Sequence, residues 1–215
     1  MKLVVVGGHS RNIGKTSLAA GIIAGSTALR WTVLKITQFG HGVCSSSGED
    51  CDCAVDDPIH PFSITRERDA GGSSDTSRLL AAGAAESYWV RASVGQFGDA
   101  WPALRRLIEN RSYVLVESNT ILEFARPDLY LSLLQFDCGD FKESCLRWLH
   151  RADAFILAPS KASRPHWDGV DPRMLETRPV FKVPAPGYCT SEVVDFVTAR
   201  LRASVARDVP ALAKT

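Results

Sequence analysis

The chain has 215 residues, is 45% hydrophobic and 23% charged, and carries a formal net charge of +1. Those values suit one compact α/β domain with a sizeable core and exclude wholesale disorder. A net charge so close to zero gives no global electrostatic reason to expect nucleic acid or an anionic membrane as partner, which leaves small ligands and proteins.

The first apolar run, Leu3 to Val6, has the character of a β-strand and ends at a glycine loop rather than at a secretory cleavage site. No apolar stretch approaches the ~20 residues of a membrane span, so a cytoplasmic protein is expected. The six cysteines are then expected to be reduced rather than paired as a disulfide framework.

After that strand come Gly7-Gly8-His9-Ser10-Arg11-Asn12-Ile13-Gly14-Lys15-Thr16-Ser17 and an alanine-rich helix. Strand, glycine-rich loop and helix in this order read as a phosphate-binding loop. Backbone N–H groups of a loop with few side chains turn inward, and the helix N-terminus adds its positive dipole end. The expected nucleotide contacts are Gly8, Asn12, Ile13, Gly14, Lys15, Thr16 and Ser17, with Lys15 reaching the terminal phosphates and the Thr16 hydroxyl ligating Mg²⁺. The loop departs from the standard pattern: five residues separate Gly8 from Gly14, and the strict first position holds His9.

Ser17 to Leu29 carries Leu18, Ile22 and Ile23 on one face, which predicts a helix lying flat on a sheet. Trp31 to Gln38 reads as the second strand. Its Lys35 has two readings, a side chain that snorkels to the sheet edge or an active-site lysine at the ligand-binding end of a parallel strand.

From Phe39 to Ser74 no helical or strand period persists, so residues 39–74 are expected to form a functional loop or a small inserted lobe. His41, Cys44, Cys51, Cys53 and His60 stand inside it. Three thiols and two imidazoles can close a tetrahedral site, and Zn²⁺ suits that mixture better than an iron–sulfur cluster does. The alternatives are reduced surface thiols, and histidines that contact substrate.

Regular structure is predicted to resume with a helix opening at Asp75, whose plain reading is an acidic residue in a first turn. Glu86 to Arg91 reads as a strand, Trp101 to Asn110 as a helix, and Tyr113 to Glu117 as a short buried strand ending in a carboxylate. Glu117 at a strand tip beside the loop is a Walker-B-like arrangement, able to hold a metal ion or its water. Strands at Leu129 to Gln135, Ala154 to Ala158 and Val180 to Val183 alternate with helices at Asp140 to His150 and Ser191 to Ala203. Lys161 and Arg164 fall in a loop at the ligand end of the sheet, but the guanine-recognition signature is absent, so the base is left open. Tyr188 either approaches the base or anchors its turn. Cys138, Cys145 and Cys189 are isolated and read as structural. The alternation predicts a three-layer α/β fold, a mostly parallel sheet of about seven strands with helices on both faces.

The five-residue spacing of the loop, Lys35 on the second strand, the segment Asp75-Thr76-Ser77-Arg78 running on to Ala82-Gly83-Ala84, and Val114-Leu115-Val116-Glu117 together resemble two groups of P-loop NTPases. These are dethiobiotin synthetase and the molybdopterin-guanine dinucleotide biosynthesis adaptor (MobB family). The resemblance covers residues 1 to about 190 in order of elements, and its specific part is confined to those motifs. It implies a P-loop NTPase fold, Mg²⁺ held by Thr16, Asp75 and Glu117, and Lys15 and Lys35 as catalytic residues. It also implies slow hydrolysis of GTP or ATP in an accessory role in cofactor biosynthesis, and a homodimer. The chain departs from both groups at Ser118-Asn119-Thr120, where the synthetase meets its second substrate with a glycine-rich loop. The ligase reaction is therefore the alternative reading, beside a non-enzymatic, nucleotide-switched scaffold with a zinc lobe.

Overall fold

The computed structural model describes residues 1–39 and 62–208, and in these eight strands share one sheet. They are β1 (Lys2–Gly8), β2 (Thr32–Phe39), β3 (Phe62–Arg66), β4 (Glu86–Ser93), β5 (Tyr113–Glu117), β6 (Leu129–Leu134), β7 (Ala154–Leu157) and β8 (Val180–Lys182). Their spatial order is β3-β4-β2-β5-β1-β6-β7-β8, and every neighbouring pair is parallel except β3 with β4. The helices are α1 (Lys15–Gly25), α2 (Asp75–Ala81), α3 (Phe97–Ile108), α4 (Glu143–Trp148) and α5 (Ser191–Asp208).

Alternation along β1 shows why the sheet is covered on both faces. Leu3 and Val5 join one buried cluster with Phe97, Leu104 and Ile108 of α3, while Val4 and Val6 join another with Leu18 and Ile22 of α1 and Val193 and Val197 of α5. A parallel strand buried on both sides reads as a continuous apolar run, as β1 does. Each such side chain contributes about 1.5 to 3 kcal/mol relative to exposure. The chain leaves β1 through α1 for β2 on one side, whereas β6, on the other side of β1, leads outward to β7 and β8. Such a reversal opens a crevice at the carboxyl ends of the two strands.

Several element boundaries differ from the expectations. Phe62–Arg66, inside the stretch expected to lack strand structure, pairs antiparallel with β4, matching Ile64 to Val90 and Thr65 to Trp89. α1 stops at Gly25 rather than Leu29, because the Ser26 hydroxyl bonds back to the Ile22 carbonyl and accepts the Trp31 indole N–H at 2.9 Å. A Cβ at Gly21 would lie 2.3 Å from Cys189 Cβ, and one at Gly25 2.6 Å from Val194, so the small residues of α1 let the start of α5 approach its backbone. α3 begins at Phe97, one turn before Trp101. α4 is shorter than Asp140 to His150, running from Glu143 to Trp148 and ending in a 3-10 turn at Leu149–Arg151.

Candidate functional site

The glycine loop leaves β1 at the crevice and is held there from two sides. Asn119, just past β5, forms a two-pronged clamp on Gly8: its Oδ1 accepts the Gly8 N–H at 3.1 Å and its Nδ2 donates to the Gly8 carbonyl at 2.9 Å. On the other side the His9 N–H donates to the Leu133 carbonyl of β6 at 3.2 Å. The His9 ring, in the position where the standard motif has glycine, is fully buried with its centroid 4.6 Å from that of Phe141, and burial lowers its pKa.

Within the loop, a Cβ at Gly8 would stand 2.9 Å from Ile13 Cδ1 and 3.1 Å from Lys15 Cδ. A larger residue there would displace the Ile13 and Lys15 side chains from their places against the loop. Asn12 and Gly14 take positive φ angles of 54° and 100°, which turn the chain into α1. Ile13 anchors the loop in the core, and Asn12 is exposed. Tyr188 lies over Gly14, its ring 2.3 Å from where a Cβ would be, while its own N–H donates to the Pro184 carbonyl at 2.9 Å. Lys161 and Arg164 are exposed.

The Lys15 ammonium donates to the Ser10 carbonyl at 2.8 Å and forms no ion pair among the described residues. Burial pushes its pKa down, and the charge of Glu117 offsets this only in part. A cationic side chain closed over a glycine cradle, satisfied by a neutral carbonyl alone, fits an anionic ligand.

Beside the cradle, four elements bring Thr16, Lys35, Asp75 and Glu117 together. Lys35 and Glu117 are register partners on adjacent strands, which sets their side chains side by side. The Lys35 ammonium lies 2.5 Å from Glu117 Oε1, 2.9 Å from Asp75 Oδ2 and 3.2 Å from Thr16 Oγ1. Thr16 in turn donates to Glu117 Oε2 at 2.9 Å. Burial works against the Lys35 charge, but Glu117 and Asp75 outweigh it and raise the pKa; burial likewise opposes the Asp75 charge, and Lys35 holds that carboxyl below its usual range. The Lys35 side chain is 19% exposed, and its ammonium turns to these oxygens. The hydroxyl and two carboxylates are hard oxygen donors of the kind Mg²⁺ takes, and the ammonium bridges all three. Ser17 accepts a hydrogen bond from Arg78 at 2.9 Å, and Arg78 also pairs with Asp75 at 3.3 Å.

Asp75 is placed by a local network with no periodic signal in the sequence. The Ser74 hydroxyl caps α2 by accepting the Ser77 N–H at 3.0 Å. Glu67 accepts from the Arg68 and Asp69 N–H groups, each at 3.0 Å, and from the hydroxyls of Ser74 at 2.9 Å and Thr76 at 2.8 Å. His41, Cys44, Cys51, Cys53 and His60 lie outside the described residues. Among the described residues no three His, Cys, Asp or Glu side chains group to hold a metal ion, and no helix is long and apolar enough to cross a membrane.

A glycine-rich loop that joins the first strand to the first helix, closes on Gly-Lys-Thr and sits at the switch point of a parallel sheet defines the P-loop nucleotide-binding fold. Similar solved structures include a MobB protein homolog from Bacillus stearothermophilus, with 16% identity over 94% of this chain and 99% of that one and a TM-score of 0.43. Another is the apo form of LpxK from Aquifex aeolicus in complex with ATP, with 19% identity over 85% of this chain and 53% of that one and a TM-score of 0.44. No protein-family model and no curated protein sequence matches the chain.

Proposed function

We propose that the protein binds a Mg²⁺–nucleoside triphosphate, GTP or ATP, and hydrolyses it slowly. The observation that carries this is the Lys15 ammonium, folded back onto the Ser10 carbonyl of the Gly8–Gly14 loop without an acidic partner among the described residues. In this reading the loop N–H groups and Lys15 hold the β- and γ-phosphates. Thr16, Asp75 and Glu117 would hold Mg²⁺ directly or through water, and the ion would supply neutralisation of phosphate charge. Lys35, beside these three oxygens, would face the transferred phosphoryl group or a second substrate. Positioning and electrostatic stabilisation supply the catalysis, and no dedicated base is required.

Asp75→Asn with Glu117→Gln should abolish Mg²⁺-dependent phosphate release while the variant keeps its circular dichroism spectrum. Persistence of both turnover and Mg²⁺ dependence would remove these residues from the metal shell.

The accessory role in cofactor biosynthesis, the homodimer and the cytoplasmic location come from the resemblance and the sequence class, and belong to the same proposal. Stimulation of basal hydrolysis by a protein partner is the outcome expected of an accessory factor. Nucleotide consumption dependent on a diamine and CO₂ would instead favour the ligase. A zinc ion on Cys44, Cys51, Cys53 and His41 or His60 is checked by elemental analysis of protein purified without added metal.

A further inference from the structure

A second lysine is tied to the loop through its backbone, and the resemblance assigns it nothing. Lys142 lies in the connection from β6 to α4, and its backbone N–H donates to the His9 carbonyl at 2.8 Å. That bond ties the start of α4 to the half of the loop whose Ser10 carbonyl receives Lys15. The Lys142 side chain is half-buried, and among the described residues its ammonium has no hydrogen bond or ion pair. Glu143, the acid next to it in sequence, turns instead to Arg147 at 3.0 Å.

The larger charges that act on Lys142 have its own sign, and only the weaker influence of Cys145 opposes them. Burial, then Lys15, Arg11 and Lys35, push its pKa down to about 8. Arg11, on the loop itself, also lacks an ion-pair partner among the described residues. Of these four cations, among the described residues only Lys35 is paired with carboxylates. Three cations that lack a carboxylate partner among the described residues and repel one another are unfavourable for the protein alone and favourable once an anion lies between them.

We propose that Lys142, together with Arg11, forms a phosphoryl-binding subsite on the His9–Ser10 side of the loop, contacting the same terminal group that Lys15 reaches. The inference rests on the phosphate-loop reading and extends it to a residue more than a hundred positions away. The phosphoryl group has two possible sources, the terminal phosphate of the nucleotide or a separate phosphate that meets the nucleoside diphosphate complex.

Calorimetric titrations of wild type, Lys142→Met and Lys142→Arg separate the sources. The ligands are Mg²⁺–ATP, Mg²⁺–GTP, the corresponding diphosphates, and inorganic phosphate added to the diphosphate complex. Loss of one charge-assisted contact predicts that Lys142→Met weakens one phosphoryl ligand about tenfold, with diphosphate affinity held within threefold and Lys142→Arg retaining most binding. A loss confined to triphosphate identifies the nucleotide's own terminal phosphate, and a loss confined to added phosphate identifies the separate source. Changes under threefold for every ligand, or equal losses for di- and triphosphate, would overturn the subsite. If wild type binds no nucleotide the phosphate-loop reading fails and the subsite falls with it, whereas normal binding by wild type with an indifferent Lys142→Met defeats the subsite alone.

Discussion

Replacing Lys35 with methionine removes the cation on which Thr16, Asp75 and Glu117 converge while keeping most of the side-chain volume. The Glu117 side chain is 1% exposed and Lys35 19%, so their contact at 2.5 Å is a largely buried pair. Removing one partner of such a pair costs about 3 to 5 kcal/mol, because the other charge stays buried and uncompensated. The contact to Asp75 adds little, about 0 to 1 kcal/mol, since that carboxylate is 42% exposed. In a chain of this size the total predicts a fall in Tm of about 6 to 24 °C in the presence of a chelator. The same three oxygens are then free for Mg²⁺, which at a hundredfold its Kd returns about 2.7 kcal/mol. Thermal unfolding followed by circular dichroism, with and without Mg²⁺ and without nucleotide, reads both quantities. The wild type should respond little to Mg²⁺, because its own ammonium already bridges the donors. A variant within about 1 kcal/mol of wild type, or one destabilised equally with and without Mg²⁺, would refute the idea that lysine and metal share one set of oxygens.

Asn119→Ala leaves the Gly8 N–H and carbonyl without their clamp, and at about 1 to 3 kcal/mol for each unsatisfied buried group should lower stability by some 2 to 6 kcal/mol in denaturant unfolding; an unchanged midpoint would mean that the loop is anchored elsewhere. Glu67, with its carboxylate held at about 2 by N–H and hydroxyl donors, contributes stability that is fully present above pH 4.5 and is lost as the pH falls toward about 2. Glu67→Gln should therefore flatten the acid limb of the Tm profile between those values, and parallel limbs in wild type and variant would contradict this assignment.

The parts of the fold that the sequence announces are those set by local pattern. The continuous apolar run of β1, the glycine loop and the helix after it lie within one short stretch, and each signal supports the next. Glu117 at the tip of its strand and Lys35 on β2 are likewise legible from position alone, although their pairing at one register depends on two strands far apart in sequence. β3 is not legible, because Phe62–Arg66 is short and its pairing is supplied by β4 rather than by its own sequence. The early start of α3 is hidden by Pro102, which suits a first helical turn and so points to Trp101 rather than Phe97 as the beginning. Asn119 reads as a departure from a family pattern, and its role as a clamp on Gly8 appears only when 111 positions of chain have been folded away. Lys142 is one surface-type lysine among many until its backbone is seen bonded to His9.

Equilibrium binding of Mg²⁺–ATP and Mg²⁺–GTP to wild type and to Lys15→Ala tests the phosphate-loop reading most directly. Wild type should bind at least one of the two, and loss of a charge-assisted contact of about 1.5 to 3 kcal/mol should weaken that binding by about tenfold or more in a variant that remains folded. Equal affinity of wild type and variant for both nucleotides, or no binding of either by wild type, would contradict it.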